Sequence, residues 1–321
     1  MTDFNPDHLT HYFIVGPQNT LGRDPLQVVE AAIEAGMTMI QIRDKEGEAK
    51  EIIDLTNKTA DLIQKMGKEE EVSLLVNDRL DIVLACRDLG YKVDGIHVGQ
   101  DDIPVSVCRK YLGPDSIVGL SAATHQLIDY VKQTDTKDID YFGAGPLHET
   151  ATKPDAGYDK TQKGPIQLRD LDELKTLADI SPIPVVVGGG VKAKDLADLK
   201  QTGVAGYFVV SAIAGAHDPG QAARELITTW QNAEKWTEDY NEKSTNHSRI
   251  WLFRRRRHPS WLENFPSPRC LRHVCYHLNH RTKYPGRPRG GSLKWRPFGS
   301  PVGLNFPRYP PRCCQNWYGR Q

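Results

Sequence analysis

The chain has 321 residues, of which 39% are hydrophobic and 26% charged, the usual balance of a soluble globular protein. No apolar run approaches the ~20 residues of a membrane-spanning helix, which excludes that class of protein. The 41 Lys and Arg residues match the 41 Asp and Glu residues in number, but residues 249–321 hold 16 of the basic residues and one acid, Glu263. This asymmetry predicts two physically different regions.

The start of the chain and its cysteines predict a cytoplasmic protein. Residues 1–10 contain Asp3 and Asp7 and no basic residue ahead of an apolar stretch, unlike a secretory signal. Cys86 and Cys108 are the only cysteines before the basic region. Two isolated cysteines make no disulfide framework, as expected in a reducing compartment.

Short β-branched runs alternate with longer amphipathic stretches. The predicted strands are His11–Val15, Met39–Arg43, Leu74–Asn77, Gly95–Val98, Ile117–Ser121, Asp140–Gly143, Val185–Gly188 and Gly206–Ser211. The helical patterns between them include Pro25–Ala35, Ala49–Met66, Leu168–Ala178 and Ala193–Gln201. Strands joined by crossovers indicate a parallel sheet covered by helices. Eight of them within about 210 residues favour a closed (β/α)8 TIM barrel of the α/β class over an open doubly wound sheet.

The periodic pattern ends after a last predicted helix, Gln221–Glu234. Asn241–Ser248 is polar and linker-like, and the Pro-, Trp- and Tyr-containing stretch beyond it fits no strand or helix template. We therefore predict a barrel domain over residues 1–236 and a basic, Arg- and Pro-rich tail over residues 237–321 that is disordered or ill-folded.

Charged side chains gather where the second predicted strand ends, in the sequence QIRDK. Residues alternate between the two faces of a strand, so Gln41, Arg43 and Lys45 point to one side, toward the barrel mouth. Two cations and an amide that converge suit a polyanionic ligand such as a diphosphate. A solvated loop with scattered charge is the alternative.

Carboxylates follow the third and fourth strands. Asp78 and Asp102 are candidate ligands for a shared hard cation, with Asp101 as an alternate to Asp102. Mg2+ takes one or two protein carboxylates, with phosphate oxygens and water completing its octahedron. Asp102 ahead of Ile103-Pro104 is also compatible with a helix N-cap. His97 lies inside the fourth strand, where we expect a packed or supporting histidine rather than a ligand.

Later loops suit a second anion. The sixth strand leads into Gly143–Pro146 and then Thr150–Lys153, whose hydroxyls and lysine could hold a phosphate. The seventh strand ends in Gly188–Val191 and the eighth in Val210-Ser211. Loops after these two strands form the recurrent phosphate site of TIM barrels, because glycines let backbone N–H groups approach an anion. An ordinary Gly- and Pro-rich turn is the alternative.

Seven motifs follow one another at the strand ends: QIRDK, VNDR, GIHVGQDD, GLSAAT, GAGPLHETATK, VVVGGGV and VVSAI. In this order the chain resembles the thiamine-phosphate synthase family, over about Leu9 to Trp230. The resemblance implies a Mg2+-dependent transferase that joins hydroxymethylpyrimidine diphosphate to thiazole phosphate and releases diphosphate. Asp155–Asp179 is longer than the family pattern, and Leu147-His148-Glu149 departs from its spelling.

The family's functional residues carry over position by position. The resemblance implies substrate binding at Gln41, Ile42, Arg43, Asp44, Lys45, Asn77, Ser121, Thr150, Ala151, Thr152, Lys153, Gly190, Val210 and Ser211. Within that set, it implies contact with the pyrimidine diphosphate at Gln41, Arg43, Lys45, Asn77 and Lys153. It implies contact with the thiazole phosphate at Thr150, Thr152, Gly190, Val210 and Ser211.

The resemblance also implies catalytic roles for Lys153, Arg43 and Ser121, with Ser121 against the pyrimidine, and Mg2+ ligation by Asp78 and Asp102. The implied reaction is a dissociative substitution, and no residue of the set is placed as an activated nucleophile. The nearest rival is the related thiazole tautomerase, which has the barrel without the diphosphate machinery. A homo-oligomer is compatible with either activity.

The tail leaves three interpretations open. Arg254–Arg257 with nearby Trp and Tyr residues resembles the composition of a nucleic-acid-binding segment. A zinc site is conceivable at Cys270, Cys275, His277 and His280, although the spacing fits no standard pattern. The third interpretation is translation in a shifted reading frame, which would explain the abrupt change to Arg, Pro, Trp, Cys and His.

Overall fold

Eight parallel strands pair in chain order and close on themselves, because β1 pairs with both β2 and β8. The computed structural model of the chain describes residues 4–122, 127–150 and 167–243, with side chains through residue 233. The strands are β1 His11–Val15, β2 Met39–Ile42, β3 Ser73–Asn77, β4 Gly95–Val98, β5 Ile117–Ser121, β6 Tyr141–Ala144, β7 Val185–Val187 and β8 Gly206–Val209. The predicted α/β class and TIM barrel are confirmed.

Helices alternate with the strands. They are α1 Pro25–Ala35, α2 Ala49–Lys65, α3 Leu80–Asp88, α4 Val105–Leu112, α5 Leu127–Gln133, α6 Leu171–Ile180, α7 Leu196–Gln201, α8 Ser211–Ala214 and α9 Pro219–Lys243. Short 3-10 helices occupy Pro6–Leu9, Pro17–Asn19 and Ala193–Asp195. In the described parts of the chain, no helix combines the length and apolarity that a membrane crossing needs.

Local sequence signals explain why α1 has the limits predicted for it. The Asp24 carboxylate accepts a hydrogen bond from the backbone N–H of Leu26, and Pro25 stands at the first helical position. Proline suits that position because its missing N–H would have no partner inside the helix. Gly36 ends the helix with φ of 109°, a left-handed conformation that glycine adopts without a Cβ clash.

The hydrophobic core has two layers. Residues such as Ile40 and Ile42 point out of the barrel and pack against the helices. Tyr12, Met39 and Tyr141 belong to a second buried cluster inside the barrel. Side chains of a strand alternate between its two faces, so each strand supplies both layers.

Glycines in three neighbouring strands make room for rings inside the barrel. A Cβ at Gly119 of β5 would overlap the Tyr141 ring. A Cβ at Gly143 of β6 would lie 3.1 Å from Cε1 of His97. Gly188, directly after β7, stands against the Phe208 ring in the same way. Large aromatic side chains therefore fill the barrel interior only because the adjacent strand has no side chain at the facing position.

Several predicted strand and helix limits differ from the structure, and four of these differences are as follows. The eighth strand stops at Val209, and Ser211 begins α8 rather than ending the strand. The second strand stops at Ile42. The sixth helix begins at Leu171, because Asp170 caps it by accepting from the N–H of Glu173. The last helix runs over Pro219–Lys243, since no proline or glycine after Gly220 interrupts it.

The tail beyond residue 243 lies outside the described residues. The predicted domain boundary between residues 236 and 237 and the three interpretations of the tail therefore stay predictions.

Candidate active site

The carboxyl ends of the eight strands define one mouth of the barrel, and the polar side chains that the sequence singled out follow these ends. The β2, β3 and β4 strands are paired neighbours, with Ile42 beside Val76 and Asn77 beside His97. The backbone N–H of Asp78 donates to the His97 carbonyl at 2.9 Å, so the pairing continues one residue past β3.

Gln41 and Asn77 form a hydrogen-bonded ladder that leads to Asp78. Gln41 is fully buried and donates from Nε2 to Oδ1 of Asn77 at 2.9 Å. Asn77 in turn donates from Nδ2 to Oδ2 of Asp78 at 2.6 Å. The hydroxyl of Tyr12 donates to Oε1 of Gln41 at 2.6 Å. These contacts fix the orientation of both amides inside the barrel.

Asp78 is the focus of charge at the mouth. Its φ of 60° lies in the left-handed region, which Asp and Asn tolerate better than most residues. Lys45 places its Nζ 3.2 Å from Oδ2 of Asp78. Burial raises the pKa of the Asp78 carboxyl and the neighbouring Asp102 raises it further, while Lys45 opposes both. Asp102, from the loop after β4, is thus held close enough to disfavour the charge of Asp78.

Asp102 lies in the loop after β4 and is exposed. Its Oδ2 accepts from the backbone N–H of Gly99 at 2.8 Å. The N-cap of α4 is Pro104, so the alternative that Asp102 is that helix cap is wrong. Asp101 is also exposed. The bond to Gly99 turns Asp102 back toward the strand end, next to Asp78.

This pair of carboxylates fits a hard divalent cation. Their mutual repulsion would be relieved by a positive charge between them, and oxygen is the ligand that Mg2+ prefers. Among the described residues, no group of three or more His, Cys, Asp or Glu side chains has a metal-binding arrangement. Asp78 and Asp102 are therefore the described residues at this mouth that could hold such a cation.

The other residues of the QIRDK segment divide among three environments. Arg43 is half-buried directly after β2. Ile42 is fully buried in the outer core, so a contact from it to a ligand at the mouth would come from its backbone. The Asp44 carboxylate accepts from the side chain of Gln18 and from the backbone N–H of Gly47, the latter at 2.8 Å. Asp44 therefore shapes its own loop.

Ser121 ends β5 and is half-buried. Its Oγ lies 3.0 Å from Nε2 of His97, whose Nδ1 lies 2.9 Å from the Tyr141 hydroxyl. Gln100 donates to the Ser121 carbonyl at 2.5 Å and to the Tyr130 hydroxyl at 2.7 Å. Ser121 is thus fixed by contacts from β4 and from the loop that follows β4.

A glycine turn follows β7 and lies under the loop after β6. Gly189 and Gly190 have φ of 81° and 74°. A Cβ at Gly190 would lie 2.8 Å from Cβ of His148, so a larger residue would push this loop away. Nε2 of His148 lies 3.0 Å from Oδ2 of Asp195, which follows the turn in the chain.

The remaining predicted residues of this half lie near that turn or outside the described residues. Val210 precedes α8 and Ser211 is its first, exposed residue. Because β7 and β8 are paired, the turn at Gly190 and the start of α8 follow neighbouring strands. Thr150 is half-buried. The predicted residues Ala151, Thr152 and Lys153 lie outside the described residues.

Tyr12 and Tyr141 are site-supporting residues that the sequence did not single out, and His97 was expected to be a packed or supporting histidine. The usable signal was strand parity. Tyr12 sits two residues before Ile14 on the inward face of β1, and His97 and Tyr141 occupy inward positions of β4 and β6. Inward polar rings below a barrel mouth need hydrogen-bond partners, and those partners are the site residues.

Comparison with known proteins shows which family this chain belongs to. The family model described as thiamine monophosphate synthase matches residues 11–213. The thiamine-phosphate synthase of Desulfitobacterium hafniense (strain DSM 10664 / DCB-2) is 36% identical over 230 residues, which cover 72% of this chain and 99% of the relative. That of Corynebacterium efficiens is 38% identical over 223 residues, covering 70% of this chain and 95% of the relative.

A solved structure agrees with the sequence relatives. The thiamine phosphate pyrophosphorylase from Pyrococcus furiosus is 25% identical, with a TM-score of 0.58, and the match covers 71% of this chain and 98% of that one. The family model spans all eight strands and the loops that carry the barrel mouth. The chain therefore belongs to the thiamine monophosphate synthase family.

Proposed function

We propose that this chain condenses hydroxymethylpyrimidine diphosphate with thiazole phosphate, or its carboxylated form, to give thiamine phosphate and diphosphate. Membership of the family supports this activity. The substrates are those that the activity of the related thiamine-phosphate synthases requires, and each half of the barrel mouth carries residues that we propose to bind one of the two anions.

The observation that carries the proposal is the arrangement of Lys45, Asp78 and Asp102 above the Gln41–Asn77 ladder. A cation lies 3.2 Å from one of two neighbouring carboxylates. A cation and a carboxylate pair at one spot suit a substrate that brings both negative charge and a metal ion, as a magnesium diphosphate does. An acyl-transfer enzyme would instead need an activated nucleophile with its base.

Asp78 and Asp102 are the residues that would hold Mg2+. When bound there, Mg2+ would neutralise the diphosphate charge that grows as the bond to the pyrimidine methylene breaks. Lys45 pairs with Asp78, so its ammonium group stands within reach of the same diphosphate. The charge of Arg43, at the end of β2, adds to this stabilisation of the leaving group.

The pyrimidine half of the donor would lie over the ladder and Ser121. Hydrogen bonds to partners inside the barrel hold Gln41, Asn77 and Ser121 in place. Preorganised polar groups lose little entropy on binding, so they can orient the methylene carbon for attack by the thiazole nitrogen. Lys153 is proposed as the remaining cation on the diphosphate, and it lies outside the described residues.

The acceptor phosphate would bind at the other side of the mouth. Gly190, Val210 and Ser211 follow the paired strands β7 and β8, where TIM barrels commonly bind phosphate. Thr150, Ala151 and Thr152 complete the proposed set from the loop after β6. With two anion sites on opposite sides, the reacting carbon and nitrogen are brought together between them.

Two further points belong to the proposal. A thiazole tautomerase of the same fold remains the rival, and the presence in the sequence of the whole diphosphate set favours the synthase: Gln41, Arg43, Lys45, Asp78, Asp102 and Lys153. We place the reaction in the cytoplasm and leave a homo-oligomer as an expectation. A nucleic-acid partner for residues 237–321 is the less favoured use of the tail.

The test is a coupled assay of the full chain with both phosphorylated substrates and Mg2+. We expect thiamine phosphate and diphosphate in equal amounts, and loss of product when EDTA removes the metal. Asp102→Asn should lower kcat at least about a hundredfold, the usual scale for loss of a transition-state charge contact. The matched control is Asp101→Asn, which changes the neighbouring exposed carboxylate and should retain activity.

Wild-type protein that isomerises the thiazole without consuming the pyrimidine diphosphate would replace the proposal with the tautomerase. Equal losses in the Asp101 and Asp102 variants would reject Asp102 as the specific ligand. A fragment of residues 1–235 should keep full synthase activity if the tail has no part in the reaction.

A further inference from the structure

Hydrogen bonds connect the metal-binding side of the barrel mouth to Ser121 without interruption. The path lies inside the barrel and passes through Asp78, Asn77, Gln41, Tyr12, Tyr141, His97 and Ser121. Its heavy-atom distances lie between 2.6 Å, at Tyr12 to Gln41, and 3.0 Å, at His97 to Ser121. Each residue along the path bonds to the residue before it and the residue after it, so the direction of one bond constrains the next.

The direction of hydrogen-bond donation along this path is set at Asp78. Its Oδ2 accepts from Asn77 and also faces the Lys45 ammonium group, so this oxygen acts as an acceptor. The amide nitrogen of Asn77 is therefore committed to Asp78, and its oxygen faces Gln41. Gln41 must donate from Nε2, which leaves its Oε1 to accept from the hydroxyl of Tyr12.

The number of hydrogens on each group also determines the donors at the Tyr12, Tyr141 and His97 rings. A hydroxyl has one hydrogen, and Tyr12 gives its own to Gln41. Tyr141, 3.0 Å away, must therefore donate to the Tyr12 oxygen. Its single hydrogen is then used, so His97 must donate to Tyr141 from Nδ1. A neutral imidazole with its hydrogen on Nδ1 accepts at Nε2, and Ser121 must donate there.

The buried environment of the rings stabilises this assignment of donors and acceptors. Burial raises the pKa of the Tyr12 and Tyr141 hydroxyls, so both remain neutral donors with one hydrogen each. The His97 and Tyr141 rings lie 5.5 Å apart between centroids and fit over Gly143 and Gly119. Reorienting either ring would break two hydrogen bonds inside the barrel, where unpaired polar groups are costly.

We propose that the directed chain, the hydrogen-bonded path from Asp78 to Ser121, makes Ser121 Oγ a hydrogen-bond acceptor at the barrel mouth. Ser121 Oγ then selects a pyrimidine that donates an N–H to it. Tyr141 and His97 are then specificity-determining positioning residues. The Ser121 hydroxyl donates its one hydrogen to His97, so its oxygen can only accept a hydrogen bond from the ligand. The inference rests on the proposed function and deepens it. Ser121 Oγ accepts a hydrogen bond from the amino group of the pyrimidine ring and disfavours an oxo group at the same ring position.

The test compares two donor substrates, the 4-aminopyrimidine diphosphate and its 4-oxo analogue, at equal Mg2+ and thiazole phosphate. The readout is the ratio of the two kcat/KM values. This ratio does not change if part of a preparation is unfolded, because both substrates meet the same enzyme. Wild type should favour the amine by at least about a hundredfold, since an acceptor facing an acceptor leaves both unpaired.

Tyr141→Phe removes the hydroxyl in the middle of the chain and retains the ring. His97 then loses its acceptor at Nδ1 and can carry the hydrogen on Nε2 instead, which frees the Ser121 hydroxyl to donate to an oxo group. We expect the preference for the amine to fall about tenfold, the worth of one well-placed hydrogen bond. Tyr12→Phe should give the same fall, because Tyr141 is then free to donate to His97.

Tyr207→Phe is the matched control. The Tyr207 hydroxyl lies 3.1 Å from Nδ1 of His11, so the variant also breaks a buried bond between a tyrosine and a histidine. Tyr207 points out of the barrel toward Trp230 and has no place in the directed chain. Its variant should keep the wild-type ratio.

The outcomes separate the inference from the proposed function. A wild type that makes no thiamine phosphate would reject the proposed function itself. An active wild type that uses both pyrimidines equally would overturn the inference and leave the function intact. The inference is equally overturned if Tyr141→Phe and Tyr12→Phe both keep the wild-type ratio, or if Tyr207→Phe lowers it as much as they do.

Discussion

Gly119 of β5 leaves the space that the Tyr141 ring of β6 fills. A Cβ at position 119 would overlap the ring and its hydroxyl oxygen. The ring is completely buried and its hydroxyl contacts both Tyr12 and His97. The small residue on one strand is therefore a condition for the polar chain on its neighbours.

Gly119→Ala tests this dependence. The added methyl group must displace Tyr141 or the strand, and overpacking of a filled core costs about 1–3 kcal/mol of unfolding free energy. Displacement of Tyr141 should also lower synthase activity per folded molecule. The control is Gly220→Ala in α9, where a Cβ would meet no atom closer than 3.3 Å, the end of the flexible Arg224 side chain. Denaturant titration and specific activity are the measurements.

Equal stability of the two alanine variants would show that the barrel interior can relax around position 119. Loss of stability at Gly119 with full activity in the remaining folded protein would separate packing from the polar chain.

Asp78 combines function with a local cost in stability. Burial and Asp102 raise the pKa of its carboxyl above the ordinary value, so the folded protein disfavours the charge that Mg2+ ligation requires. Asp78→Asn keeps the shape and tolerates the φ of 60°. We expect it to abolish Mg2+-dependent turnover and to leave the metal-free protein as stable as wild type or more stable at pH 7, by denaturant titration.

The pH dependence follows from the same shift. Because the folded pKa is raised, the folded state holds this proton more tightly than the unfolded state does. Its stabilising contribution is present below the unfolded pKa, near 3.8, and is lost as pH rises through the folded pKa. Any advantage of Asp78→Asn should therefore be present at pH 7 and shrink as the pH falls to 4. An advantage that grows on acidification would contradict this account.

The sequence predicted the barrel well because the relevant signals are local. Strand alternation, the Asp24 cap and Gly36 lie within a few residues of the features they specify, and α1 has its predicted limits. The order of strands then follows from chain order, since parallel strands joined by helical crossovers leave few topologies. Ser211 was misplaced because the apolar run that begins at Gly206, GYFVVSAI, does not reveal where a buried strand turns into a short helix.

Only some residues of the candidate site could be grouped from the sequence. Gln41, Asn77 and Asp78 could be grouped because all lie at the ends of adjacent strands. Their hydrogen-bond partners could not, since Tyr12 and Tyr141 are 129 residues apart and meet only across the closed barrel. Contacts between residues so distant in the chain depend on barrel closure and register, which periodicity alone does not give.

Cys86 and Cys108 are buried thiols whose pKa burial raises to about 11. An ordinary thiol near 9 would be about a hundredfold more ionised at pH 8, and the thiolate is the reactive form. We expect iodoacetamide to modify both at least about a hundredfold more slowly in native protein than in denaturant. Mass spectrometry of the two peptides measures each site separately from the cysteines of residues 270–314.

The raised pKa values also predict a loss of stability in alkali. Both thiols hold their protons more tightly in the folded state, so their contribution is complete below pH 9 and declines as pH rises through about 11. Replacing both with alanine should flatten that part of the stability profile. Rapid native labelling at pH 8 would mean that the helices carrying the thiols open locally.

Arg109 and Asp140 form an ion pair at the opposite end of the barrel from the mouth, ahead of β6. Oδ2 of Asp140 lies 2.6 Å from a guanidinium nitrogen of Arg109 and accepts from the backbone N–H of Val118 at 2.7 Å. The side chains are only 15% and 10% exposed. Removing Asp140 leaves the Val118 N–H without this acceptor and the Arg109 guanidinium with only backbone carbonyls as partners. Breaking a buried ion pair in this way costs about 3 kcal/mol.

Asp140→Ala should therefore lower the free energy of unfolding by about 3 kcal/mol, while activity per folded molecule stays at the wild-type value. The control is Glu71→Ala, which breaks an ion pair of the same 2.6 Å length whose glutamate is 63% exposed. Solvent screens such a pair, so its loss should change stability little. Thermal and denaturant unfolding of both variants decide the point, because similar losses would mean that burial adds nothing to the Arg109–Asp140 pair.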